Sequence, residues 1–280
     1  MKIKATSITL RSVLFLLLCA ALFSSWFFVT KEPEKPQSPP PKQIPLGMHN
    51  DFTLNGKVGV SYWYRDDTLR PENAVTFKQE EVATFLTKAA NKEQNYYGET
   101  DTYLYAALEK HIGSIQGKKV AVIGSLTPWY ESIVLSYGGN PVTIEYNKIT
   151  NQEPRIEVLT VAEYEKKPQL FDALISISSL EHDGLGRYGD PINPNGDFCA
   201  MKKMKAMLKK DGLLFLSVPI SKDHLWWNVH RIYGRMRFPL LIQEWDLIDS
   251  FGFQDADLDY DHGMQASAYQ PVFVLKPKLS

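Results

Sequence analysis

Cysteine is nearly missing from this chain of 280 residues, which carries only Cys19 and Cys199. Cys19 falls within an apolar N-terminal run and leaves Cys199 without an obvious partner in the folded part, which argues against a disulfide framework. Charge of either sign is also not in surplus: 31 Lys and Arg stand against 32 Asp and Glu, for a formal net charge of -1, and the basic residues are scattered. A nucleic-acid backbone demands a concentrated positive surface, so nucleic acid is set aside as a partner. No Asn-x-Ser/Thr acceptor occurs, so glycosylation cannot report topology. There is no internal repeat. What is present, 44% hydrophobic and 22% charged residues, is an ordinary globular composition that excludes disorder throughout.

The long uncharged run is Ser12 to Val29, with Lys2, Lys4 and Arg11 before it and Lys31 and Glu32 after it. Its length suits a helix crossing a bilayer. A cleavable signal peptide is the alternative, given the basic start and the small residues Ser24 and Ser25, but the run exceeds the usual apolar region of about 7 to 15 residues. Positive charge ahead of the segment puts the N-terminus in the cytoplasm. The expectation is a cytoplasmic tail over 1–11 and a signal anchor over 12–30 that meets the lipid bilayer. The rest would then form a single-pass type II protein facing the secretory lumen or the cell exterior, or be secreted after cleavage. Dense proline in Lys31 to Pro45 removes backbone donors and fixes φ, which predicts a semi-extended stalk and lead-in over 31–72. The domain itself spans 73–280.

Within that domain the apolar spacing of Val75, Phe77, Val82, Phe85 and Leu86 predicts a helix from about Asn73, and a second follows over Asp101 to Ile112. Five short apolar runs come next, at 119–123, 141–145, 155–159, 172–177 and 212–218, with helices at 129–137 and 198–210 among them. Runs apolar on both faces suit covered parallel strands, and their alternation with helices predicts a doubly wound sheet. Beyond Pro219 the expectation is a helix over Leu240 to Phe251, then strands over Phe253 to Tyr260 and Pro271 to Leu275.

Chemistry concentrates at the strand ends. After the first strand come Gly124, Ser125 and Leu126, then Thr127 and Pro128 as a helix cap and first turn, so free amides face the carboxyl edge where open α/β sheets bind ligands. Glu145 ends the second strand 21 residues after Gly124, near the spacing of about 20 at which a carboxylate takes a ribose diol. An exposed strand-end glutamate and a simple turn glycine are the plainer readings. The fourth strand runs into Ser176-Ile-Ser-Ser-Leu-Glu-His-Asp183, too polar for core. Ser178 and Ser179 there would face a cofactor, and Glu181, His182 or Asp183 would deprotonate a substrate. A buried His182 satisfied by a carbonyl is the alternative. The long Gly184 to Asp197 loop would bring Arg187, Tyr188 and Asp190 to the substrate, or else be a surface excursion. No spacing among the histidines and carboxylates is diagnostic of a metal, so none is expected. Trp226, Trp227, His230, Arg231 and Tyr233 either wall a pocket or shield a sheet edge.

The ordered series Val120 to Gly124, Glu145, Phe171 to His182 and Leu208 to Pro219 resembles a class I S-adenosylmethionine methyltransferase over Tyr103 to Lys276. More narrowly, Tyr97-Gly-Glu-Thr-Asp101, the run from Ser178 to Pro191 and Leu216 to Pro219 are similar to an uncharacterised domain family numbered 268, known from nematodes and other organisms and without an assigned reaction. The resemblance implies a Rossmann-like, doubly wound seven-stranded sheet, mostly parallel with an antiparallel C-terminal strand. It also implies S-adenosylmethionine lying across Gly124, Ser125 and Glu145, and an unknown small-molecule or protein substrate. Leu126 departs from the two or three glycines of active relatives. A catalytically inactive binding or scaffold module is therefore the alternative, and a secretory-pathway glycosyltransferase the third, although Asp255-Ala-Asp257 and Asp259-Tyr-Asp261 are poorly placed for its metal.

Overall fold

The computed structural model describes residues 39–68, 75–261 and 269–278. In chain order the elements are α1 (His49–Phe52), β1 (Gly59–Tyr62), β2 (Thr76–Phe77), α2 (Gln79–Ala90), α3 (Glu99–Lys110), β3 (Lys119–Ile123), α4 (Trp129–Ser136), β4 (Asn140–Glu145), β5 (Thr150–Asn151) and β6 (Glu157–Thr160). They continue with α5 (Val161–Lys166), β7 (Phe171–Ile177), α6 (Gly196–Met207), β8 (Leu208–Ser217), β9 (His224–Trp227), β10 (His230–Ile232), α7 (Arg237–Leu241), β11 (Trp245–Phe251) and β12 (Val272–Pro277).

The main sheet has seven strands in the order β11-β12-β8-β7-β3-β4-β6. From β8 to β6 every pairing is parallel, whereas β12 runs antiparallel to both β8 and β11. Side chains alternate across it as the pleat requires. Leu214 and Leu216 join Met201 and Met204 in a cluster on one face, while Leu213 and Phe215 join Leu104, Leu108 and Ile133 on the other. The central strands are apolar on both sides because helices cover both.

Several expectations need correction. Phe77 is fully buried as predicted, but Thr76 and Phe77 pair in parallel with Thr150 and Asn151, and the helix begins only at Gln79. The stretch Leu240 to Phe251 divides into α7 and β11, because its apolar residues fit either period and antiparallel pairing with β12 decides for a strand. Leu247 and Ile248 on that edge are 43% and 45% exposed. Phe253 to Tyr260 is not a strand: it contains a short 3-10 helix at Asp255–Leu258. Pro128, not Thr127, occupies the cap of α4, which starts at Trp129.

The stretch read as stalk and lead-in is folded over residues 39–68. Ile44, Phe52 and Val58 pack with Leu185, Leu225 and Trp227, and the Trp227 indole donates to the Pro41 carbonyl at 3.1 Å. β1 joins β9 and β10 in a second sheet, Gly59 pairing in parallel with His224. The anchor expected over 12–30 lies outside the described residues. Among the described residues no helix is long and apolar enough to cross a membrane.

Candidate functional site at the carboxyl edge

The chain order reverses between β3 and β7, and the registers of β3 with its two neighbours, Ile123 opposite Ile144 of β4 and Val122 opposite Ile175 of β7, bring Gly124, Glu145 and Ser178 to one edge. Gly124 is obligatory there for two reasons. Its φ of +73° is left-handed, and a Cβ would lie 2.0 Å from Ser179 Oγ. Ser179 thus sits directly on the turn. Ser125 points inward: its hydroxyl meets Glu131 Oε2 at 3.1 Å and the Thr127 carbonyl at 2.9 Å. Glu131 is wholly buried in α4, and burial pushes its carboxyl up to about 7. Glu145 is buried at the end of β4, accepting from the Asn147 backbone N–H at 3.1 Å.

Beside them, Ser178 closes β7 with φ +48° and donates to Glu181 Oε1 at 2.6 Å. The Gln270 amide donates to Ser178 Oγ at 3.1 Å, and Tyr97 hydrogen-bonds the same serine. Burial holds the Tyr97 phenol well above its usual range, so it is protonated. Glu181 is 1% exposed, and its Oε2 lacks a partner among the described residues. His182 Nδ1 faces the Val229 carbonyl at 2.6 Å, which can only accept, so Nδ1 carries the proton; Nε2 lies 3.6 Å from Glu181 Oε1. This hydrogen bond is the carbonyl-satisfied histidine, although the ring remains partly exposed at the edge. The Asp183 carboxyl is raised well above the carboxylate range by burial and then by Asp190.

The loop after Asp183 is tied down from within. Asp190 accepts backbone N–H groups of Gly184, Gly186 and Tyr188 at 2.7, 3.2 and 3.4 Å. Arg187 donates to Asp67 at 2.7 Å, with its guanidinium 4.8 Å from the Tyr188 ring centre, and Tyr188 stands edge-on to His182 at 5.6 Å. Arg187 and Asp190 therefore shape the loop, and Tyr188 is the member of the three whose ring reaches His182. At the loop's far end Asp197 is fully buried, bound by Arg237 at 2.7 and 2.8 Å and by the Tyr233 hydroxyl at 3.0 Å. Burial would raise the Asp197 pKa, but Arg231 and Arg237 outweigh it and leave the carboxyl lowered. Arg231 also donates to the Asp183 carbonyl at 2.6 Å. Among the described residues no three His, Cys, Asp or Glu side chains gather as a metal site.

The edge fits S-adenosylmethionine in its ribose half. A buried carboxylate follows a strand directly beside a left-handed glycine, and Glu181 Oε2 supplies an orphaned buried acceptor nearby. The half-buried Leu126 follows Gly124 and Ser125 in this turn. Sequence reasoning gave no site role to Tyr97, Gln270, Glu131 or Arg231 as an anchor of the loop. Only Arg231 carried a signal, a cation between His230 and Ile232 in a stretch otherwise rich in rings and aliphatic side chains, which demands a partner if buried.

No curated protein matches the chain. Among solved structures it is similar to 1,6-didemethyltoxoflavin-N1-methyltransferase of Burkholderia thailandensis, seen with 1,6-didemethyltoxoflavin and S-adenosylhomocysteine. That likeness has 14% identity, covers 71% of this chain and 87% of the other, and has a TM-score of 0.49. The PH0226 protein of Pyrococcus horikoshii is similar at 14% identity, over 68% and 95% of the two chains, with a TM-score of 0.45. The CcbJ methyltransferase of Streptomyces caelestis is similar at 9% identity, over 64% and 90%, with a TM-score of 0.41. The domain itself is a Rossmann-like, mostly parallel sheet whose β12 runs antiparallel. Residues 117–270, more than half of the chain, match the family described as Caenorhabditis protein of unknown function, DUF268, and the chain belongs to that family.

Proposed function

We propose that the domain is an S-adenosylmethionine-dependent methyltransferase whose cofactor seat is the edge formed by Gly124 and Glu145. The supporting observation is the register that sets Gly124, Glu145 and the Ser178 to Asp183 segment side by side at the reversal of the sheet. Glu145 would hold the ribose hydroxyls, which a carboxylate accepts in pairs. Bound S-adenosylmethionine would supply an activated methyl group. Glu181, with a buried oxygen still to be satisfied, is the group suited to accept the acceptor's proton. Methyl transfer depends more on alignment than on strong acid-base help. The test is calorimetric titration of S-adenosylhomocysteine into the full-length chain and its Glu145→Ala variant. Binding that is lost in the variant supports the seat; a folded wild-type chain that binds nothing removes it.

Leu126 and the inward Ser125 favour a second reading, a module on this fold that has lost the cofactor, and the same titration separates the two. The uncharged run Ser12 to Val29 supports a single-pass anchor with the domain on the lumenal or outer side. Carbonate extraction of membranes, with protease protection of the C-terminal domain, tests that topology.

A further inference from the structure

Away from the Gly124 and Glu145 edge, a cleft of about 590 Å³ opens among β1, β9, the turn into α7 and the chain at Leu258 to Asp261. Its charged side chains balance, Lys57, Lys222 and Arg235 against Asp223, Asp259 and Asp261. Most of these already have work inside the fold. Asp223 accepts the backbone N–H groups of Gly234, Met236 and Arg237 at 2.9, 2.8 and 3.0 Å, and Arg235 is ion-paired to Asp255 and Asp259. Lys57 and Lys222 have no ion partner among the described residues.

The floor is aromatic and has a buried polar atom to satisfy. His224 Nε2 is inaccessible to solvent and has no hydrogen-bond partner among the described residues. Burial lowers the His224 pKa against the pull of Asp261, so the imidazole is neutral at pH 7 and has both a donor and an acceptor nitrogen. The backbone makes room for this ring: a Cβ on Gly59, the strand neighbour of His224, would lie 2.9 Å from its Nδ1. The His224 ring lies 5.2 Å from Trp226. Outside the cleft, Trp63 stands edge-on to Trp226 at 6.4 Å and to His230 at 6.3 Å, and the buried His230 stands edge-on to His182 at 6.3 Å. Trp63 is 46% exposed, a large ring left facing solvent.

A ligand for this surface needs a flat apolar face to lie on rings, and hydroxyls that donate to and accept from mixed neighbours. It should not carry a net charge, because the lining has no surplus of either sign. A pyranose has all three properties, its C–H faces being apolar and its rim hydroxylated. A nucleotide or an acidic peptide would seek an excess of cations, whereas Lys57 and Lys222 are matched in number by Asp223 and Asp261 and Arg235 is paired to Asp259. We propose that this cleft is a binding site for a neutral sugar ring, with the Trp226 face as its stacking surface and His224, tilted 55° beside it, as the neighbouring ring. The proposal stands whether or not the domain transfers methyl groups.

The test is saturation-transfer NMR on the full-length chain with methyl glycosides of glucose, mannose, galactose and N-acetylglucosamine. Inorganic phosphate and S-adenosylhomocysteine serve as separate probes. At least one glycoside should bind, and Trp226→Ala should weaken it by about tenfold, the order expected when a stacking ring is removed. Trp226→Phe keeps a ring and should retain binding, which guards against misfolding. The S-adenosylhomocysteine response should not move in either variant, so this site and the cofactor seat can fail independently. No glycoside binding by the folded chain, equal displacement by phosphate, or binding that survives Trp226→Ala would overturn the proposal.

Discussion

Ser125 donates its hydroxyl to Glu131 Oε2 at 3.1 Å, while the other oxygen of that carboxyl takes the Thr143 hydroxyl at 2.7 Å. One buried side chain of α4 therefore joins the turn after β3 to the strand that ends in Glu145. The missing glycines of this turn are offset by a polar staple beneath it.

That staple gives the fold a pH dependence. Glu131 has its pKa raised by burial to about 7 from 4.5, so between those values the folded chain keeps a proton that the unfolded chain has released. Its contribution is fully present below pH 4.5 and is lost as pH rises through 7, by about 3 kcal/mol in order of magnitude. Glu131→Gln should flatten this slope, measured as urea midpoints at pH 5 and pH 7.5. An unchanged slope would mean that the carboxyl is ionised in the fold.

Gly124→Ala meets both a left-handed φ of +73° and the Ser179 hydroxyl at 2.0 Å. The expected loss is about 2–3 kcal/mol in thermal unfolding. Adding Ser179→Gly should restore part of it, because the contact is relieved and the backbone strain is not. A double variant no better than the single one would place the whole cost in the backbone.

Arg237 and Arg235 make a matched pair of tests. Arg237→Met leaves the buried Asp197 carboxylate only the Arg231 guanidinium at 3.8 Å and the Tyr233 hydroxyl, and should cost about 3 kcal/mol. Arg235→Met breaks ion pairs in water, its side chain being 43% exposed, and should cost far less. Comparable denaturant midpoints for the two would contradict the burial argument.

A chain starting at residue 39 should be more stable than one starting at residue 46. The shorter chain loses the Tyr64 bond to the Pro40 carbonyl, the Trp227 bond to the Pro41 carbonyl and the buried Ile44. Each hydrogen bond is worth about 1 kcal/mol and the side chain about 1–2 kcal/mol. Differential scanning calorimetry of both would read the gap directly.

The central strands were legible because a strand covered on both faces must be a continuous apolar run, as Val120 to Ile123 and Ala173 to Ile177 are. Glu145 and Ser178 were legible for a related reason: polar residues that abruptly end such runs must reach an edge. The segment 240–251 misled because Leu240, Leu241, Trp245 and Ile248 fit a helical stripe, and only the pairing of β11 with β12 decides otherwise. β1 went unseen because Gly-Val-Ser-Tyr is short and half polar, and its partner β9 lies on the far side of the sheet in sequence. Tyr97 and Gln270 flank Ser178 only once the chain has folded, which no local pattern can express.

The pairing of Gly59 with His224 also bears on the route by which the chain reaches this state. Five of the seven main-sheet strands lie between the two residues, so the contact closes a very long loop and carries the entropy of doing so. Neighbouring pairs such as β3 with β4 close short ones and are favoured first. Loop entropy therefore predicts that the small sheet closes late, as a clasp on the parallel strands β3 to β8. On this expectation, a cleft that depends on Gly59 and His224 together would form only in the last steps of folding.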